Sequence, residues 1–127
     1  MSVREEHIEV VKRGLDLLEH RSYDEFRPYL AEDVVLYGAF QPAVRGVDNV
    51  IAAMKKSDEE FGGTTEVESA DYFGDDSQVV SHEHIRFTRG DRTIETEAVH
   101  VTEFRDGKVS KMTEFTCDPE AWASLMT

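Results

Sequence analysis

Residues 98–119, Ala98-Val99-His100-Val101-Thr102-Glu103-Phe104-Arg105-Asp106-Gly107-Lys108-Val109-Ser110-Lys111-Met112-Thr113-Glu114-Phe115-Thr116-Cys117-Asp118-Pro119, decide how this chain folds. Two β-rich runs flank Asp106-Gly107, and Asp-Gly between such runs is the strongest short-range hairpin signal a sequence offers. The first run starts at Arg92, and Gly90-Asp91 turns it back onto an earlier strand. The predicted strands are Thr64–Phe73, Ser77–Thr88, Arg92–Arg105 and Lys108–Thr116. Asp118 followed by Pro119 then opens a short last helix through Trp122 and Leu125.

Upstream the period changes from two to that of a helix. Ile8, Val11, Leu15 and Leu18 form an apolar stripe on a first helix from about Arg4 to His20. Ser22 caps a short second helix, with Glu25 completing a capping box and Phe26 and Leu30 facing inward. Val34 to Tyr37 is a short strand ending at Gly38. A loop from Ala39 to Gly46 leads to a third helix, Val47 to about Phe61, ended by Gly62-Gly63. Helices followed by long antiparallel strands predict an α+β domain, and residues 1–127 read as one such domain.

Composition narrows the function classes. At 127 residues and 39% hydrophobic, the chain can build a core without disulfides or metal. Charges at Arg4, Glu5, Glu6 and Glu9 argue against a signal peptide, and no uncharged run reaches the roughly 20 residues that cross a bilayer. The single Cys117 cannot form an internal disulfide, so a cytoplasmic location is expected. With 27 acidic and 14 basic residues, net −13, the surface should repel nucleic acid and anionic membranes. Only five of the basic residues are Lys. That balance fits either an ordinary acidic surface or adaptation to high salt.

Several segments together resemble a known family. Tyr23-Asp24-Glu25-Phe26, Leu30-Ala31-Glu32-Asp33-Val34, Arg45-Gly46 at the third helix, and Phe104-Arg105-Asp106-Gly107-Lys108-Val109 are similar in order and spacing to the SnoaL-like branch of the NTF2-like superfamily. The resemblance implies a cone, a strongly curved, mainly antiparallel sheet wrapped around N-terminal helices, with a pocket at its open end. It also implies homodimers across the outer face of the sheet. Relatives include ketosteroid isomerases, polyketide cyclases, dehydratases and epoxide hydrolases, beside binding modules without chemistry, so fold alone does not set function. Ketosteroid isomerase uses an aspartate base and an oxyanion hole of tyrosine and protonated aspartate. The resemblance places these on Gly38, Gly14 and His100 respectively, so that mechanism is not expected here.

His100 shares its strand face with Ala98, Thr102 and Phe104. A two-residue turn at Gly90-Asp91 pairs Arg89 with Arg92 and Ser81 with His100, leaving Glu83 diagonal to His100 on the same face. A glutamate beside a histidine in a dry cavity is a general-base pair, the carboxylate orienting the imidazole. The alternative is a core histidine bonded to Ser81 or the backbone. The opposite face receives His82, His84 and Arg86, with His84–Glu97 and Arg86–Glu95 as cross-strand ion pairs. His82-Glu83-His84 suggests a metal, but Glu83 points away from its neighbours, so no metal site is expected. The run Asp58-Glu59-Glu60 reads as the solvated end of a helix.

The expected pocket takes Gly14, which opens space, from the first helix, Phe26 and Leu30 from the second, and Met54 and Phe61 from the third. Leu36, Gly38, Phe40 and Arg45 flank its mouth. Ala98, Met112 and Glu114 complete the wall, unless a bulge near Gly107 substitutes Lys111 and Thr113 for the last two. Such a cavity suits a neutral, apolar small molecule. Two functions follow. One is a cofactor-free isomerase, cyclase, hydratase or dehydratase using His100 with Glu83 or Glu114. The other is a non-catalytic ligand-binding or dimerisation module. Val80, His82, Val99 and Val101 on the outer face support a homodimer.

Overall fold

A computed structural model describes residues Met1–Thr127. Helix α1 (Val3–Glu19) is capped by Ser2, whose hydroxyl accepts from the Glu5 amide. Its buried residues are His7, Val11 and Leu17, with Ile8, Val10 and Leu18 packed beside them. The apolar face is therefore centred slightly off the predicted stripe, and it includes a histidine. Helix α2 (Tyr23–Phe26) is a single turn that runs into a 3-10 turn, Arg27–Tyr29. The expected capping box does not form. The Ser22 hydroxyl donates to the His20 carbonyl and Glu25 pairs with Arg13, because a four-residue turn offers its orphan amides little to stabilise.

Strand β1 (Leu30–Tyr37) begins four residues earlier than expected. Glu32 and Asp33 hide the strand pattern, but parallel pairing of Leu30 with Val109 on the last strand holds the segment extended. The loop after Gly38 contains a two-residue strand, β2 (Val44–Arg45), paired with β1. Helix α3 (Val47–Phe61) matches its predicted bounds, and Gly62 ends it at φ +65, where a side chain would be strained. Strands β3 (Thr64–Gly74), β4 (Gln78–Arg89), β5 (Arg92–Arg105) and β6 (Lys108–Thr116) follow, then α4 (Pro119–Met126). β4 starts one residue late because Ser77 turns inward on Asp75, whose Oδ1 accepts from the Ser77 and Gln78 amides at 2.8 and 3.1 Å.

The six strands form one open, mixed sheet in the order β2-β1-β6-β5-β4-β3, antiparallel except for β1 beside β6. Helix α1 packs on β3 and β4, α3 on β1 and β2, and α4 on β5. The core lies between, with Val34, Val50, Val79 and Val109 fully buried. Each such side chain contributes about 1.5–3 kcal/mol relative to exposure.

Two hairpins fix which side chains reach the interior. The β4–β5 turn has positive φ at Gly90, and the pairing runs without interruption from Arg89–Arg92 through Glu83–Ala98 to Ser81–His100, as the turn length predicts. In the β5–β6 turn both Asp106 and Gly107 have positive φ, the type I′ pattern that suits twisted strands. One step on, Ser110 is an extra residue in β6, its hydroxyl bonded to the Glu103 carbonyl. After it Met112 opposes Thr102 and Glu114 opposes His100. The bulge was expected to turn Met112 and Glu114 outward. It does the reverse: without it Lys111 would oppose Thr102 and face the core.

Candidate acid–base site in the cone cavity

A cavity of about 500 Å³, lined by twenty apolar residues among its thirty-one, lies between the helices and the inner face of the sheet. The three acid–base groups at its wall are placed by strand alternation. Glu83 and His100 come from neighbouring strands on the inward face, and Glu114 lies across from His100 on β6. His100 Nδ1 is 2.6 Å from Glu83 Oε1, and its Nε2 is 3.2 Å from Glu114 Oε2. The Ser81 hydroxyl donates to the same Glu83 oxygen at 3.1 Å.

Exposure separates the three roles. Glu83 has no exposed surface and does not line the cavity, whereas His100 and Glu114 do, with side chains 20% and 40% exposed. Glu83 therefore stands behind the ring and orients it. Burial alone would lower the imidazole pKa, but hydrogen bonds and charge from Glu114 and Glu83 outweigh it and raise it from 6.5 to about 10. A pKa in that range would make the ring an imidazolium at neutral pH, able to donate to both carboxylates. Tyr72 on β3 feels the same arrangement: its pKa is raised by burial and by the charge of Glu83.

Gly14, Phe26, Leu36, Gly38, Phe40, Met54, Phe61, Ala98, Met112 and Glu114 all line the cavity. Leu30 does not. It is 5% exposed within the core cluster, because β1 starts at Leu30 and turns it toward Val109. Arg45 also lies elsewhere, in a shallow outer groove with Asp33 and Arg105, since β2 pairs along the sheet edge. Gly14 leaves less free space than expected: a Cβ there would stand 3.0 Å from the Phe26 ring, so the glycine admits Phe26.

Sequence reasoning missed a second polar pole. Asp58, read as a solvated helix end, has a side chain only 18% exposed and pairs with Arg21 at 3.2 Å. It lines the cavity beside Tyr23, whose pKa is pushed up to about 12, first by burial and then by the Asp58 charge. Aromatic rings cluster in one wall of the cavity. Trp122 on α4 packs 4.9 Å from Phe87 and 5.1 Å from Phe61, and lies parallel to Phe40 at 6.1 Å. Arg89 and Arg92 hold α4 by donating to the Leu125 and Ser124 carbonyls.

The family model for the SnoaL-like domain matches residues 11–112. The chain belongs to the SnoaL-like domain family. Solved structures share its α+β NTF2-like architecture. A Xanthomonas campestris protein assigned as a polyketide cyclase superposes with a TM-score of 0.86 at 14% identity, covering 99% of this chain and all of that one. TerC, co-crystallised with polyporic acid, gives 0.83 at 18%, covering 95% and 98%. A LEH-like epoxide hydrolase from M. tuberculosis gives 0.77 at 17%, covering 96% and 90%. No curated protein sequence matches this SnoaL-like chain. At these identities the likeness establishes fold, and chemistry rests on the residues. No helix of this SnoaL-like domain is long and apolar enough to cross a membrane.

Proposed function

We propose that this SnoaL-like domain binds a neutral, largely apolar molecule in its cavity and catalyses a cofactor-free proton transfer on it, of isomerase, cyclase, hydratase or dehydratase type. The observation that carries this reading is His100 held between Glu83 and Glu114 at the wall of an otherwise apolar cavity. Glu114 accepts a proton from a C–H or O–H of the ligand and returns it at a second atom. His100 steadies the charge that develops, and Glu83 positions His100. The family resemblance puts Gly38 where a ketosteroid isomerase has its base, so in this proposal the base comes from β6 instead.

Exchange of a ligand's acidic C–H for solvent deuterium tests the proposal, with a steroid enone as the probe. Removing a general base typically costs about 10²–10⁴-fold, and Glu114→Gln should slow exchange by that order. Exchange no faster than in buffer would support the second reading, a non-catalytic binding module. One observation favours that reading: both ring nitrogens of His100 are already engaged by carboxylates.

The outer face of the sheet serves assembly in this account. Phe73 and Phe115 are 58% and 54% exposed there, in register with Val80 and Val99. Exposed aromatics grouped with valines on one face suit a second copy of the chain.

A further inference from the structure

The face of the sheet turned away from the cavity carries a cluster that the acid–base site does not use. His82 and His84 lie two residues apart on β4, so both point outward while Glu83 between them points in. Glu97 on β5 is directly opposite His84. Its Oε1 is 2.9 Å from His82 Nε2 and 3.5 Å from His84 Nε2, and the two imidazole rings are 5.2 Å apart. The three potential ligand atoms lie within 4.8 Å of one another.

We infer that His82, His84 and Glu97 form a binding site for a borderline divalent transition-metal ion of the zinc class. Two imidazoles and a carboxylate bind such ions at about 2.0–2.2 Å, which sets neighbouring ligand atoms roughly 3.4 Å apart in a tetrahedron. The two nitrogen–oxygen separations fall on either side of that value. The two imidazole nitrogens, which lie within 4.8 Å of each other, would close on the ion by rotation of side chains that are 37%, 51% and 45% exposed. Their backbone is already fixed in a β ladder, so little is left to order on binding. Imidazole ligands favour zinc, nickel or copper over magnesium or calcium.

The surroundings also suit a cation. The chain carries −13, and the neighbouring Arg86 is engaged by Glu66, Glu68 and Glu95 at 2.8–3.5 Å. Three protein ligands leave a coordination position facing outward, for water or a group from another molecule. The third ligand sits on the next strand, outside the His82-Glu83-His84 tripeptide.

Calorimetric titration of the full, metal-stripped chain with zinc alone tests the site. The expected result is one ion per chain and a raised thermal midpoint. His82→Gln and His84→Gln should each weaken binding by at least about tenfold, since even outer-sphere changes cost that much at metal sites. Cys117→Ser should leave affinity unchanged. Far-ultraviolet dichroism of each variant without metal verifies that it folds. Absence of stoichiometric binding would overturn the inference. So would affinity retained in the doubly substituted chain, or loss of affinity in Cys117→Ser.

Discussion

The Nδ1 atom of His100 lies 2.6 Å from Oε1 of Glu83, a carboxylate with no exposed surface. The remaining oxygen of Glu83, Oε2, has no hydrogen-bond partner within the chain. A half-satisfied buried carboxylate whose one strong partner is an imidazolium belongs more naturally to a working site than to a packing core, where orphan polar atoms are rare. The positive ring in turn holds Glu114 at the cavity wall.

Breaking this pair should be expensive. Glu83→Ala leaves the half-buried ring without its positioning partner, and removing one member of a buried pair typically costs about 3–5 kcal/mol. Glu83→Gln keeps the shape and should cost less, while lowering the pKa of His100. Chemical denaturation of the two variants, alongside a His100 titration, measures both effects. Equal, small losses would show that Glu83 does not hold the ring.

Stability should fall in alkali. The folded pKa of His100 is raised from 6.5 to about 10, so the bound proton stabilises the fold fully below about pH 6.5. That contribution is lost as pH rises through 10. At about 1.4 kcal/mol per pKa unit, a pKa rise of that size corresponds to a loss on the order of 5 kcal/mol across this pH range. Denaturation midpoints at intervals from pH 6 to 10.5 follow it, and His100→Asn should flatten the upper part of the curve.

Much of this site was legible in the sequence because two-residue turns fix register. Placing Gly90-Asp91 at a turn determined that Ser81 opposes His100 and that Glu83 lies beside it. The family segments carried the helices as well. What stayed hidden depended on single irregularities or on packing between distant elements. The bulge at Ser110 leaves no turn signature, yet it decides that Glu114 faces His100. Asp58 begins an acidic run that looks solvated, and its pairing with Arg21, two residues past the end of α1, accompanies its inward position. The register paired Glu97 with His84, but the shorter contact that Glu97 makes diagonally to His82 depends on side-chain rotamers that no register fixes.

Trp122 should report ligand entry. It is the single tryptophan and lines the cavity among Phe40, Phe61 and Phe87. Saturable change in its emission on adding a neutral steroid is the expected outcome. Trp122→Phe should abolish the signal while calorimetry still detects binding. Emission unaltered by any apolar probe would count against an accessible cavity.

A dimer through the outer sheet face predicts a mass twice that of the 14.5 kDa chain in sedimentation at micromolar concentration. Phe115→Asp should yield monomers with little change in fold, because that side chain is more than half exposed. A monomeric mass for the unmodified chain would remove this proposal.

The central claim is that His100 holds a proton between Glu83 and Glu114 in a cavity that a ligand can reach. Nitrogen NMR of the His100 ring, across pH 6 to 10.5 and with or without a neutral steroid, tests it most directly. Both ring nitrogens should be protonated at pH 8, with a midpoint near 10 and a shift of the Nε2 signal when the cavity fills. A midpoint near 6.5, with no response to a steroid whose binding calorimetry confirms, would contradict it.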